Sequence, residues 1–108
     1  MPAGLTYEVI EREDDFVVLQ LRGDLSGRVW TEQIRRSLEE HYVDDGVKRI
    51  RIDISPVSFV DNYGVATLVA LQGHSRERGK QFFLEGAQGQ PREKLKVTGV
   101  LRILEQGG

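Results

Sequence analysis

An α/β domain built on a mixed sheet is the fold class this sequence predicts, and three observations predict it. Two strand-like runs, residues 5–10 and 16–22, flank the acidic stretch 11–15 and read as an N-terminal β-hairpin. Strand-like and helix-like segments then alternate to the end of the chain, which is the pattern of parallel strands joined by right-handed crossovers. The 108 residues suffice for one core and not two, and no linker, repeat or low-complexity tract divides them.

In order along the chain, residues 16–21 (Phe-Val-Val-Leu-Gln-Leu) are almost continuously apolar, which predicts a strand covered on both faces. Residues 23–27 (Gly-Asp-Leu-Ser-Gly) read as a loop offering Ser26 as a helix N-cap. From 29 to 42 an amphipathic helix is predicted, because Trp30, Ile34, Leu38 and Tyr42 recur every four residues among Glu32, Arg35, Arg36, Glu39 and Glu40. Asp44-Asp45-Gly46 ends it, with the glycine as breaker.

Residues 49–53 alternate isoleucine with charge and form the next strand. Ser55-Pro56 forces a turn, since proline fixes φ and biases its predecessor away from helix. Phe59-Val60 then returns to the core, and Asp61-Asn62 supplies acceptors for the orphan amides of a helix running from the apolar stretch 65–71 to Gly79. Asn62, Tyr63 and Gly64 are left at an exposed tip. A third parallel strand occupies 81–85. Residues 86–89 form a loop, Pro91 opens a helix that Thr98-Gly99 closes, and 100–104 packs back as a last short element.

Composition narrows the function. The net charge is −2 with acids and bases interspersed, against the clustered basic face that nucleic acid requires. Lys48, Arg49 and Arg51 alternate along a strand and mark a solvated sheet face. The absence of cysteine excludes disulfides and thiolate metal sites. The opening residues lack the basic and apolar regions of a signal peptide, and no apolar run approaches the roughly 20 residues needed to span a bilayer, so a cytoplasmic protein without direct membrane insertion is expected. No cofactor and no metal is expected, and with no nucleophile set beside a base, neither is enzymatic activity.

The stretch Asp53-x-Ser55-x-Val57-x-Phe59-Val60-Asp61-x-x-Gly64 resembles the signature of STAS domains, named for sulfate transporters and anti-sigma factor antagonists. Leu21-x-Gly23-Asp24-Leu25 is similar to that family's loop after its second strand. Arg78-Gly79, Phe83-Leu84-x-Gly86 and Leu95-x-x-Thr98-Gly99-Val100 are similar to its C-terminal third. The resemblance covers residues 5–104 as one STAS-like domain. It implies a protein-binding module of the anti-sigma factor antagonist type, which captures an anti-sigma factor that is also a GHKL-type kinase and so releases a sigma factor. The binding surface implied is Asp61, Asn62, Tyr63 and Gly64, flanked by Asp24 and Ser26.

In that family a Ser or Thr two positions after the motif aspartate accepts phosphate and ends the interaction. Here the phosphoacceptor-equivalent position is Tyr63, Ser26 stands where many members carry Asp, and Pro56 where many carry Gly. A binding surface without the usual Ser/Thr switch is therefore expected. An alternative is a cytoplasmic accessory subunit of an ABC-type lipid transporter. Another is a nucleotide-binding α/β domain, with residues 86–89 cradling phosphate, although the P-loop Lys and Ser/Thr are missing. Around the tip, Tyr63 reads as an interface anchor and Asn62 as a helix cap. Asp53 and Asp61 are expected to fix the loop through backbone amides, Ser55 and Ser58 to form turns, and His41 and His74 to be solvated.

Overall fold

The protein is described by a computed structural model covering residues 4–106. Strands β1 (Leu5–Glu13) and β2 (Phe16–Leu25) form the expected antiparallel hairpin. Both are longer than sequence predicts. The charged residues 11–13 continue β1 because that edge faces solvent, and the turn shrinks to Asp14-Asp15. The register slips between Val9 and Glu11, making Ile10 the extra residue of a β-bulge.

β3 (Arg49–Asp53) runs parallel to the first half of β2, and β5 (Gln81–Glu85) runs parallel to β3. The second half of β2, residues 23–25, was expected to be loop. It is strand because β4 (Val57–Val60) lies parallel to it, Gly23 opposite Val57 and Leu25 opposite Val60. β3 and β4 thus act as one broken neighbour of β2, interrupted by the Ser55-Pro56 turn, which the Val57 amide closes on the Ile54 carbonyl at 2.9 Å.

Among the described residues four α-helices complete the domain: α1 (Arg28–Leu38), α2 (Asn62–Glu77), α3 (Gly89–Val97) and α4 (Leu101–Gln106). They share one core with Val17, Leu19, Leu21, Ile50, Ile52, Phe82 and Leu84, the alternate residues of β2, β3 and β5. Residues 16–21 are therefore not covered by helices on both faces. Val18 is only 4% exposed, yet it belongs to the opposite face, in register with Glu11 and Arg51. Arg49 and Arg51 stand on that open face, as expected of a solvated sheet surface, each stacking its guanidinium on Phe16 at 5.0 and 5.3 Å.

Several helix expectations are corrected. Ser26 is not the cap of α1. Gly27 occupies that position at φ 81°, and no side chain caps the helix. α1 widens into a π-helical turn at Glu39–Val43, and Gly46 follows outside it without a left-handed conformation, so it is not the breaker. In the stripe, Ile34, Leu38 and Tyr42 are buried, but Trp30 is 44% exposed because it lies over Gly4 at the sheet edge, where Thr31 takes the inward position. The apolar run of α2 buries Val65, Leu68 and Leu71 and leaves Ala66, Val69 and Ala70 outside. Phe59 is 43% exposed, and the residues that return to the core are Val57 and Val60. His74 is not free in solvent, being held between Glu39 and Asp44 at 3.1 Å each.

Candidate functional site

The corner where β4 meets α2 is fixed through its backbone by two side chains, Asp61 and Gln90. Asp61 is the N-cap of α2, with Oδ1 accepting from the Gly64 amide at 2.9 Å. Its other oxygen accepts from the Gly27 amide at 3.0 Å, and its own amide donates to the Leu25 carbonyl at 3.3 Å. One carboxylate thereby joins the start of α1 to the start of α2. Asn62 is the first helical residue and not the cap, because Asp61 already fills that role.

Gly64 is buried rather than exposed. A Cβ there would stand 2.1 Å from the Leu25 carbonyl oxygen and 2.9 Å from Val60, so the close approach of α2 to the end of β2 excludes any side chain. Gln90, from α3, holds the outer side of the corner. Its Oε1 accepts from the Val60 amide at 2.8 Å and its Nε2 donates to the Val60 carbonyl at 3.0 Å, so a side-chain amide replaces a missing strand neighbour.

Below the corner, Asp53 organises the turn into β4. It accepts from the Gln20 amide group at 2.8 Å, the Ser55 amide at 2.9 Å and the Ser55 hydroxyl at 3.1 Å. Burial pushes its carboxyl pKa up. The bonds from Gln20 and Ser55, with the charge of Arg22, outweigh that and hold it below the ordinary value. Both aspartates thus do what their loop positions predict. Ser58 is a strand residue and not a turn former. Its hydroxyl donates to Asp24 at 3.2 Å.

The expected binding residues are only partly brought together. Asn62 and Tyr63 are exposed side by side, Tyr63 at 50%, and Ser26 borders them through the Gly27–Asp61 bond. Asp24 is exposed at the end of β2 and engages Ser58 instead of the corner. Tyr63 lines an open groove of about 250 Å³ between α1 and α2 with Arg28, Glu32, Arg35, Ala66 and Ala70. Sequence reasoning missed this groove. Its signal was present as small residues at 66 and 70 on the outer side of α2, hidden in a run that read as uniformly buried.

What this corner can do chemically is present a surface. Two polar or aromatic side chains stand on a backbone that cannot yield, beside a shallow cleft bearing both charges. Among the described residues no group of three or more His, Cys, Asp or Glu is arranged to hold a metal ion. The loop 86–89 is not lined for phosphate either. Gly86, at φ 81°, backs onto the Asp53 carboxylate, 2.4 Å from where its Cβ would be, and that charge repels an anion.

The STAS domain family model matches residues 7–106. An anti-sigma-B factor antagonist of Listeria monocytogenes is 25% identical over 102 residues, covering 94% of this chain and 88% of that protein. An anti-sigma factor antagonist from Mycobacterium paratuberculosis superposes with a TM-score of 0.79 at 21% identity, over 96% of this chain and 86% of the other. The murine Solute Carrier 26 family member A9 anion transporter, inward-facing, matches with a TM-score of 0.73 at 23% identity; 85% of this chain aligns to 15% of the transporter.

Proposed function

The chain belongs to the STAS domain family, and on that premise we propose that it is a regulatory protein-binding module of the anti-sigma factor antagonist type, acting in the cytoplasm. Its partner in this reading is an anti-sigma factor of the GHKL-type kinase class. The contact is made by Asn62 and Tyr63 on the corner that Asp61 and Gly64 hold in place. The observation that carries the reading is the rigid, backbone-locked corner with an exposed tyrosine, in a chain aligned almost end to end with curated antagonists. An aromatic ring held at low entropic cost is the kind of residue that anchors interfaces.

The switch is proposed to be absent. The phenolic oxygen of Tyr63 stands farther from the backbone than an aliphatic hydroxyl, and phosphoryl transfer depends mainly on position, so a misplacement of about 1 Å costs on the order of a hundredfold. Tyr63→Asp should lower affinity for the cognate anti-sigma factor at least about tenfold in calorimetry, since a charge must be desolvated at the contact. Unchanged affinity in a folded variant removes the corner from the interface. Incubated with that kinase and ATP, the parent should gain no phosphate at Tyr63 by mass spectrometry, and phosphate there would restore the switch. The likeness to a transporter domain supports a second reading, a transporter-associated STAS domain. Co-purification with a permease and its ATPase in place of an anti-sigma factor would favour it.

A further inference from the structure

We propose that the open face of the sheet is a homodimer surface, in which β1 of one copy lies over β3 of the other. The inference is independent of the corner and of its partner.

On two rows of the open face the charges are ordered by strand. Glu11 and Glu13 of β1 are opposite Val18 and Phe16 of β2, and these are opposite Arg51 and Arg49 of β3. Two rows therefore read acid, apolar, base: Glu13, Phe16, Arg49 and Glu11, Val18, Arg51. Among the described residues neither Glu11 nor Glu13 has a cation within 4.0 Å. The arginines of their own rows spring from a strand two away, roughly 10 Å at the usual strand spacing, and their guanidiniums lie over Phe16 at 5.0 and 5.3 Å. Apart from that stacking, those arginines are only loosely committed. Arg49 meets Asp15 at 3.5 Å and Arg51 meets Glu85 at 4.0 Å, both in exposed pairs of the kind that contribute little.

Within these two rows, though not in the next, where Glu8 and Asp53 are both acids, the pattern is complementary to itself under one rotation. A two-fold axis parallel to β2 and lying between two stacked sheets exchanges left for right and keeps the rows level. It places each Glu11 over the partner's Arg51 and each Glu13 over the partner's Arg49, with Phe16, beneath its stacked guanidiniums, at the centre. Stacked sheets are about 10 Å apart and aligned within about 30°, a gap that Glu and Arg side chains span together. The other in-plane axis, across the strands, would lay acid on acid, so the charges select the first. Tyr63 lies in the groove between α1 and α2, on the helix side, and stays free in the pair. The dimer would present two corners at once. The strip is small beside the roughly 800 Å² per partner of a standard interface, so association is expected to be weak.

Sedimentation equilibrium from about 10 μM to about 1 mM covers the range of such a contact. The parent should pass from monomer to dimer and return to monomer at high salt. Arg51→Glu and Glu11→Arg should each weaken the dimer at least about tenfold, and the double swap should restore it, with circular dichroism confirming the fold of each variant. A parent that is monomeric throughout overturns the proposal. So does a dimer indifferent to either single change, or a folded double swap that stays as weak as the singles.

Discussion

The two ends of α2 are secured in opposite ways. At its start, Asp61, Gly64, Leu25 and Gln90 tie down backbone groups, while Asn62 and Tyr63 are left outward. At its far end the side chains are tied to one another. His74 sits between Glu39 and Asp44, Arg78 reaches Asp44 at 3.1 Å, and Arg35 reaches Glu39 at 2.9 Å. Just beyond, the Lys80 ammonium donates to the carbonyls of Tyr42, Asp45 and Val47, filling the acceptors that the π-helical turn and its exit leave open. One helix thus has an end whose side chains hold the fold and an end whose backbone holds the fold and whose side chains are free. Only the second can change its surface without changing its structure.

The strongest way to break this contrast is at Gly64. Gly64→Ala places a methyl against the Leu25 carbonyl, a backbone atom that cannot rotate aside. The loss should be about 3 kcal/mol, the upper range for added volume in packed structure, and outweighs the roughly 1 kcal/mol that alanine returns in helix propensity. Urea unfolding measures it, and a midpoint equal to the parent's would mean that α2 does not lie this close to β2.

Lys80→Met tests the other end with a smaller effect. It keeps the aliphatic stem and removes the donors, leaving three carbonyls short of a partner. A cost of about 1–2 kcal/mol is expected in the same assay. Burial already lowers the Lys80 pKa against the pull of Asp45 and Asp44, so part of the ammonium's gain is spent on desolvation. An unaltered stability would show that solvent can replace the lysine.

How much of this was legible in the sequence follows the same division. Asp61 as an acceptor for the first amides of α2, the Ser55-Pro56 turn, the Gly79 terminator at φ 73° and the alternation of strands and helices depend on neighbours in the chain, and local pattern revealed them. β4 was hidden because four residues with only the two ends buried carry no period of two, and its strand character comes from pairing with β2. Gly64 was placed at the tip because its constraint is the Leu25 carbonyl, far off in sequence. Gln90 gives no local sign that it will serve as a strand neighbour for Val60, and His74 none that Glu39 and Asp44 will meet it. Trp30 kept the helical spacing of a core residue while the edge of the sheet ran out beneath it.

The smallest effect sharpens the contrast most. Tyr63→Asp removes a half-exposed ring whose apolar contact with the α1–α2 groove contributes modestly, and it introduces an acid into a first helical turn that has none. A carboxylate there faces the positive end of the helix dipole and the unpaired amides of the turn, an interaction of about 0.3–1 kcal/mol. The two effects oppose, and the net change in folding stability should lie within about 0.5 kcal/mol, the range of surface substitutions. Urea unfolding of Tyr63→Asp beside Gly64→Ala then gives two neighbouring positions on one helix turn, one almost silent and one severe. If Tyr63→Asp costs as much as Gly64→Ala, the tyrosine is a structural member of the groove, and the corner is not a surface free to vary.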